Sequence, residues 1–295
     1  MPGTIHAKIT SALSAFAPFQ DFRAGRLDRD AYVDVLEREE AKMGGFGLNR
    51  DQFHLSGRCP EQEEAFIDGI LEDLRRQGTI SSATYDKAAF TAFRRQVQAT
   101  FDHGEYSTYI FPEEERLVYA LSEIAKPVSA AFLGSYYGYW AVWAMPALAR
   151  SKGRAWFLDI DERVNRLGLA NFTRLGYGAQ VEFVTKDAVA YLDASATTYD
   201  FALIDAEGPE EHADPDYRKK CIYYPIFRAC LPRLRPGALV AVHNMLLSDL
   251  SDDRYFQERI VINKQQFHKL MPFLSEHFRN RREYPTSEGT GVYRR

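Results

Sequence analysis

The run Leu133-Gly134-Ser135-Tyr136-Tyr137-Gly138-Tyr139-Trp140 constrains this chain more than any other segment. An apolar stretch, Val128 to Leu133, precedes it and reads as a buried strand, while Tyr139 to Arg150 reads as a helix. Strand, glycine-bearing turn and helix make the first half of a nucleotide-type βαβ unit. Gly134 lets the chain turn sharply off the strand, and Gly138 lets backbone approach a ligand or the helix closely. An ordinary βα loop has the same parts, so the turn needs support from downstream.

That support is a repeating order of elements. The helix Glu113 to Ala125 follows Pro112 and leads into the first strand. Next come strand Arg154 to Asp159, helix Glu162 to Leu175, strand Gln180 to Thr185 and a short helix from Ala188. Strand Tyr199 to Asp205, helix Asp216 to Leu231 and strand Gly237 to His243 complete the repeats. A helical stretch around Tyr255 to Phe273 precedes two last strands, His277 to Tyr284 and Gly291 to Arg294, with a hairpin turn at Ser287-Glu288-Gly289. The expected fold is α/β: a Rossmann-like, seven-stranded, mostly parallel sheet with an antiparallel C-terminal hairpin strand.

Before residue 110 the pattern is helical, with no convincing strand. Asp28 to Met43 ends at Gly44-Gly45, Pro60 to Arg76 carries Ile67, Ile70, Leu71 and Leu74, and Asp86 to Phe101 spaces Phe90, Phe93 and Val97 at helical intervals. Residues 1–109 are therefore expected to form a helical extension, as a lid or a homodimer contact, and residues 110–295 the main domain. The net charge of -4 argues against a general nucleic-acid binder. Cys59, Cys221 and Cys230 are far apart with no CxxC pair, which fits reduced thiols in a cytoplasmic protein. No apolar run reaches the length of a membrane span.

Ligands of such sheets bind at the carboxyl ends of the strands. Those ends carry Gly134 to Gly138, Asp159 with Asp161, Asp187, Asp205 with Glu207, and His243 with Asn244. Asp159 sits where an acid accepts hydrogen bonds from both ribose hydroxyls. Asp187 is placed either to meet an adenine amino group or to cap a helix.

At these positions the chain from Ile110 onward resembles a class I S-adenosylmethionine-dependent methyltransferase, and more narrowly the catechol and caffeoyl-CoA O-methyltransferase group. The resemblance rests on Phe111-Pro112-Glu113-Glu114-Glu115-Arg116-Leu117, the Leu133 to Tyr139 turn, Leu158-Asp159-Ile160-Asp161, Asp200 to Ala206, and Arg235 to Asn244. It implies that S-adenosylmethionine is the cofactor. Gly134, Ser135 and Tyr136 would hold its methionine part, beside Gly138 and Ala206. Asp159 would bind its ribose, Ile160 would cover one face of the adenine, and Asp187 would sit at the adenine edge. Methyl transfer then needs an acceptor aligned with the methyl group and deprotonated near neutral pH.

Departures from the group fall where the chemistry happens. Phe132 stands where the family usually has an acid facing the methionine amino group. The family's divalent metal site is matched by Asp205, His243 and Asn244, with a histidine in place of one aspartate, which would favour a transition metal over magnesium. The lysine base of the catechol enzymes is matched by Gly208. His243 is accordingly read as the general base, oriented by Asp205; as a metal ligand with Asp205 and Asn244; or as a structural hydrogen-bonding residue. His212, in the loop Glu207 to Asp214, is a second base candidate. Tyr136, Tyr137, Tyr139, Trp140 and Trp143 make the turn and its helix aromatic, consistent with a small aromatic acceptor. Two other classes stay in play: a class I fold repurposed for another reaction or for binding, and an NAD-dependent oxidoreductase, which the lack of GxGxxG opposes.

Overall fold

A computed structural model describes residues 3–295. Its sheet contains β1 (Ser129–Leu133), β2 (Arg154–Asp159), β3 (Val181–Thr185), β4 (Tyr199–Ile204), β5 (Leu234–Val242), β6 (Arg279–Tyr284) and β7 (Thr290–Arg294), in the order β3-β2-β1-β4-β5-β7-β6. The pairs among β1 to β5 are parallel, and β7 runs antiparallel to both of its neighbours. The architecture is the mostly parallel sheet with one reversed strand expected from the sequence. β1 is central, so both of its faces are buried. Ala130 and Phe132 join one apolar cluster while Ala131 and Leu133 join the other, as the two-residue period of a strand requires.

The helical stripes before residue 110 find their partners within the chain. Ile67, Ile70, Leu71 and Leu74 of helix Glu63–Arg76 and Phe90, Phe93 and Val97 of helix Lys87–Thr100 share a core with Leu117, Trp143 and Phe132. Each such side chain left in water would forfeit about 1.5–3 kcal/mol. Ile5, Ile9, Phe22, Tyr32 and Phe53 pack instead with Phe111, Leu246, Phe256 and Ile260, which ties the first fifty residues to helix Arg254–Gln266. These stripes need no second subunit to be covered.

Several boundaries differ from expectation for physical reasons. Helix Arg29–Glu39, capped by Asp28, does not stop at Gly44-Gly45 but tightens into a 3-10 segment, Glu40–Phe46, ending at Gly47 with φ 69°. Gly3–Thr4 and Ser107–Thr108 form a two-residue parallel pairing where no strand was expected. The helix expected over Asp216 to Leu231 begins only at Tyr223 (Tyr223–Cys230), because Gly208 and Lys219 exchange backbone hydrogen bonds of 3.0 and 3.1 Å. That pairing leaves Lys219 at φ 46°, outside any helical conformation. The stretch Tyr255 to Phe273 divides into helices Arg254–Gln266 and Leu270–His277. Among the described residues no helix is long and apolar enough to cross a membrane.

Candidate active site

The turn after β1 is set by close backbone approach. A Cβ on Gly134, whose φ is 71°, would lie 2.3 Å from Cα of Ala206. Only glycine fits there. Gly138, at φ 84°, would likewise put a Cβ 2.7 Å from the Phe172 ring, so it lets helix Glu162–Arg174 pack against the turn. Tyr136 has φ 51°, and its N–H donates to Asp159 Oδ2 at 2.9 Å. Asp159 Oδ1 accepts from the Asp161 N–H at 3.0 Å. Burial raises the Asp159 pKa, and these backbone donors work against the rise.

A cavity of about 770 Å³ opens over the carboxyl ends of the strands. One end is lined by Gly134, Tyr136, Asp159, Ile160, Asp187 and Ala206. Ile160 is 73% exposed at its rim, an apolar surface left uncovered. Asp187 caps helix Ala188–Ala194 by accepting from the Ala190 N–H at 2.9 Å. Ser135 Oγ and Trp140 Nε1 are buried without hydrogen-bond partners, and both face a small adjoining cavity bordered by Gly134, Tyr136 and Asp205. Buried polar atoms ordinarily have partners, so two orphaned donors beside the turn mark a place for an acceptor group.

The other end of the cavity is built from charge pairs. His243, almost fully buried, has Nε2 3.1 Å from Glu114 Oε2, and its Nδ1 lies 3.1 Å from Asn244 Oδ1 and 3.4 Å from Asp205 Oδ2. Burial disfavours a charged imidazole, but Glu114 and Asp205 more than reverse that and hold the His243 pKa well above its ordinary value. Asp205 also accepts from Lys220 Nζ at 3.0 Å. Burial opposes Asp205 ionisation, yet Lys220 and His243 outweigh it and hold the carboxyl at about 2. Beyond Asn244, whose Nδ2 donates to Glu288 Oε2 at 3.1 Å, Arg259 joins Glu288 to Asp51. Asp51 thus brings residues before 110 to the cavity wall, together with Ser107, Thr108 and Tyr109.

This arrangement, a glycine turn and an acid after adjacent central strands with charged groups across the cleft, agrees with the comparisons to known proteins. Residues 131–245 match the family model described as a methyltransferase domain. The sheet has the class I methyltransferase fold, and residues 131–245 are similar to a methyltransferase domain. Tapetum-specific methyltransferase 1 of Arabidopsis thaliana is 25% identical over 200 residues, covering 65% of this chain and 77% of that protein. A methyltransferase of Podospora anserina, solved bound to SAH, superposes with a TM-score of 0.52 at 15% identity over 80% of this chain and 97% of that one. A structure described as a caffeoyl-CoA O-methyltransferase from Staphylococcus aureus gives 0.50 at 13% identity over 77% and 98%. At these identities the solved structures share the fold.

Of the residues expected at the cofactor end, Gly134, Tyr136, Asp159, Ile160, Asp187 and Ala206 line one cavity, Ser135 borders the small adjoining one, and Gly138 lines neither. Those expected to do the chemistry, Asp205, His243 and Asn244, also come together. His243 has both ring nitrogens beside acceptors, and Glu114 and Asp205 raise its pKa, which favours the charged imidazole over a free base. These contacts support the structural reading of His243 more than the general-base one. The would-be metal ligands Asp205, His243 and Asn244 bond to one another here, and Asp205 also accepts from the Lys220 ammonium. Among the described residues, no group of three or more His, Cys, Asp or Glu side chains is arranged to hold a metal ion. His212 lines the mouth and is tied to Asp214 at 3.1 Å. Sequence reading missed Glu114, Lys220, Arg259, Glu288 and Asp51. The buried acid run Glu113-Glu114-Glu115 at the start of helix Pro112–Ala125 was the one signal available, since three acids in one helical turn exceed what a surface helix needs.

Proposed function

We propose that this protein transfers a methyl group from S-adenosylmethionine to an oxygen of a small-molecule acceptor. The observation that carries the reading is the single cavity that joins the Gly134 turn and Asp159 at one end to Asp205, Lys220 and Asn244 at the other. The cofactor would supply a methyl group on a sulfonium, an electrophile that needs alignment more than activation. The residues present suit it. Ser135 Oγ–H and Trp140 Nε1–H are free to donate to the methionine carboxylate. Asp159 keeps lone pairs for ribose hydroxyls after accepting its two backbone bonds. Ile160 presents apolar area to the adenine face. Phe132 is buried in the core and leaves the amino group to other acceptors.

Residues before 110 form part of the acceptor wall rather than the cofactor site, since Asp51, Ser107, Thr108 and Tyr109 line the cavity while the cofactor residues lie from Gly134 onward. Calorimetry with S-adenosylmethionine, S-adenosylhomocysteine and NAD tests the first step. Binding of the first two without NAD is expected, and binding of NAD alone overturns the reading. A screen of hydroxyl, amine and carboxylate compounds for S-adenosylhomocysteine release then tests the acceptor class. A protein that binds cofactor but methylates nothing bearing an oxygen nucleophile would speak for a repurposed fold.

A further inference from the structure

We propose that the Lys220 ammonium is the resident cation of this site, standing where a divalent ion would otherwise be expected and holding the acceptor oxygen as its anion. The inference rests on the methyltransferase reading and adds to it the class of acceptor, an oxygen acid.

The geometry begins at the loop neck. Gly208 and Lys219 pair back to back, and a Cβ on Gly208 would fall 1.7 Å from the Tyr217 carbonyl oxygen, so residue 208 has no room for any side chain. The chain leaves this neck through Lys219 at φ 46° and ψ -134°, a conformation that costs a non-glycine residue about 1–3 kcal/mol. Strain of this kind persists where the surroundings demand it. What it accomplishes here is to bring Lys220 back over β4. The Lys220 backbone N–H is fixed by Gln266 Oε1 at 2.9 Å, and its Nζ reaches Asp205 Oδ1 at 3.0 Å and the Ala206 carbonyl at 3.2 Å.

Two of the three ammonium protons are thereby used; the third has no hydrogen-bond partner, the next acceptor, Glu207 Oε2, lying 3.8 Å from Nζ. Lys220 lines the cavity, and its side chain is 13% exposed, all but withdrawn from bulk water. Ala206 is also the residue against which Gly134 packs. The free donor therefore sits beside the cofactor turn, at the boundary between the cofactor and acceptor ends. An ammonium there favours an oxyanion over an ether, an amine or a carbon nucleophile. The O–CH3 bond forms as the S–CH3 bond breaks, with that electron pair passing to sulfur. The acceptor proton leaves to solvent as the acceptor binds in its anionic form, and Lys220 stays an ammonium throughout.

The test uses the full-length protein loaded with S-adenosylhomocysteine and two matched probes, 4-nitrophenolate and 4-nitroanisole, at a pH where the first is ionised. Wild type is expected to hold the phenolate at least about tenfold more tightly than the ether, the worth of one charge-assisted hydrogen bond. Lys220→Met should lose that preference while binding S-adenosylhomocysteine within about twofold of wild type, and Lys220→Arg should keep it. Mn2+ followed by electron paramagnetic resonance should stay free in the wild-type sample. A wild type that takes neither probe, or both alike, overturns the proposal, as does a preference unchanged in Lys220→Met or one that appears only with Mn2+ bound. If Lys220→Met does not fold, the wild-type and Lys220→Arg comparisons still decide. Failure to bind S-adenosylhomocysteine at all would instead remove the methyltransferase reading beneath it.

Discussion

Glu114 Oε2 lies 3.1 Å from His243 Nε2, and neither side chain reaches solvent. The same carboxylate accepts from the Phe111 N–H at 3.0 Å, from Thr286 Oγ1 at 2.7 Å and from the Glu288 N–H at 3.1 Å. One side chain therefore closes the start of helix Pro112–Ala125, the turn before β7 and the end of β5 onto one another. His243 is the partner that makes this burial tolerable, and the carboxylates beside it raise its pKa.

Removing either partner leaves an uncompensated charge inside the protein. Glu114→Ala and His243→Ala should each cost about 3–5 kcal/mol of unfolding free energy. The double variant should cost clearly less than the sum of the two. Urea titration of all four proteins gives the coupling, and additive losses within about 0.5 kcal/mol would show that the two side chains do not act as a pair.

Cofactor affinity should depend on Asp159 in two ways. Its carboxylate is proposed to bind the ribose, and it also fixes the Tyr136 N–H in the turn. Charge-assisted bonds are worth about 1.5–3 kcal/mol each, so Asp159→Ala should weaken S-adenosylmethionine by at least about tenfold in calorimetry. A smaller fall in melting temperature should accompany it. Undiminished affinity in the folded variant would refute the ribose assignment.

Buried acids set the pH dependence of stability. Burial pushes Glu113 up to about 8 and Glu115 up to about 7, against an ordinary value of 4.5. Between 4.5 and those values the folded protein holds protons that the unfolded chain has lost, so stability falls as pH rises through this window. His243, with its raised pKa, acts in the same sense: its contribution is complete below 6.5 and is lost as pH climbs through its folded value. Asp205, depressed to about 2, matters only in acid, where its contribution fades as pH drops below 3.8. Melting temperature should therefore decline from pH 5 to pH 9. Glu113→Gln, which keeps the acceptor for the Ser287 N–H, should match wild type at pH 5 and exceed it at pH 8.5. Equal melting curves at both pH values would refute the assignment to Glu113.

The sheet and the cofactor end were legible in the sequence because both are local. β2 runs from Arg154 to Asp159 as its apolar pattern indicates, and the Gly134 turn declares itself through glycines that sterics require. Of the acceptor end, only Asp205, His243 and Asn244 were legible, as residues at strand ends. Its partners come from positions 114, 205, 220, 243, 259 and 288, and no spacing along the chain links them. The helix expected from Asp216 hid Lys220 most effectively, since a regular helix would have carried that side chain at a different angle. Only the Gly208–Lys219 pairing breaks the helix, and such long-range backbone bonds leave no periodic trace. The surroundings of His243 were hidden for a related reason. A histidine after a strand looks like a base until the buried Glu114, 129 residues earlier, is found against it.

The last prediction concerns Asp51, the acid that residues before 110 contribute to the cavity. It accepts from Arg259 and from Tyr255 Oη, both at 2.9 Å, and Arg259 passes the link on to Glu288 and Asn244. Asp51→Asn removes the charge that balances Arg259 while nearly keeping the shape. The guanidinium should then turn more of its charge toward the acceptor space, far from the ribose and adenine surfaces. Affinity for S-adenosylhomocysteine should stay within about twofold, whereas KM for the acceptor found by the methylation screen should change by about tenfold, the scale of one altered charged contact. A variant with unaltered acceptor KM would detach these residues from substrate recognition. One that loses cofactor binding instead would place the Asp51–Arg259 pair in the support of the whole cleft rather than of its acceptor wall.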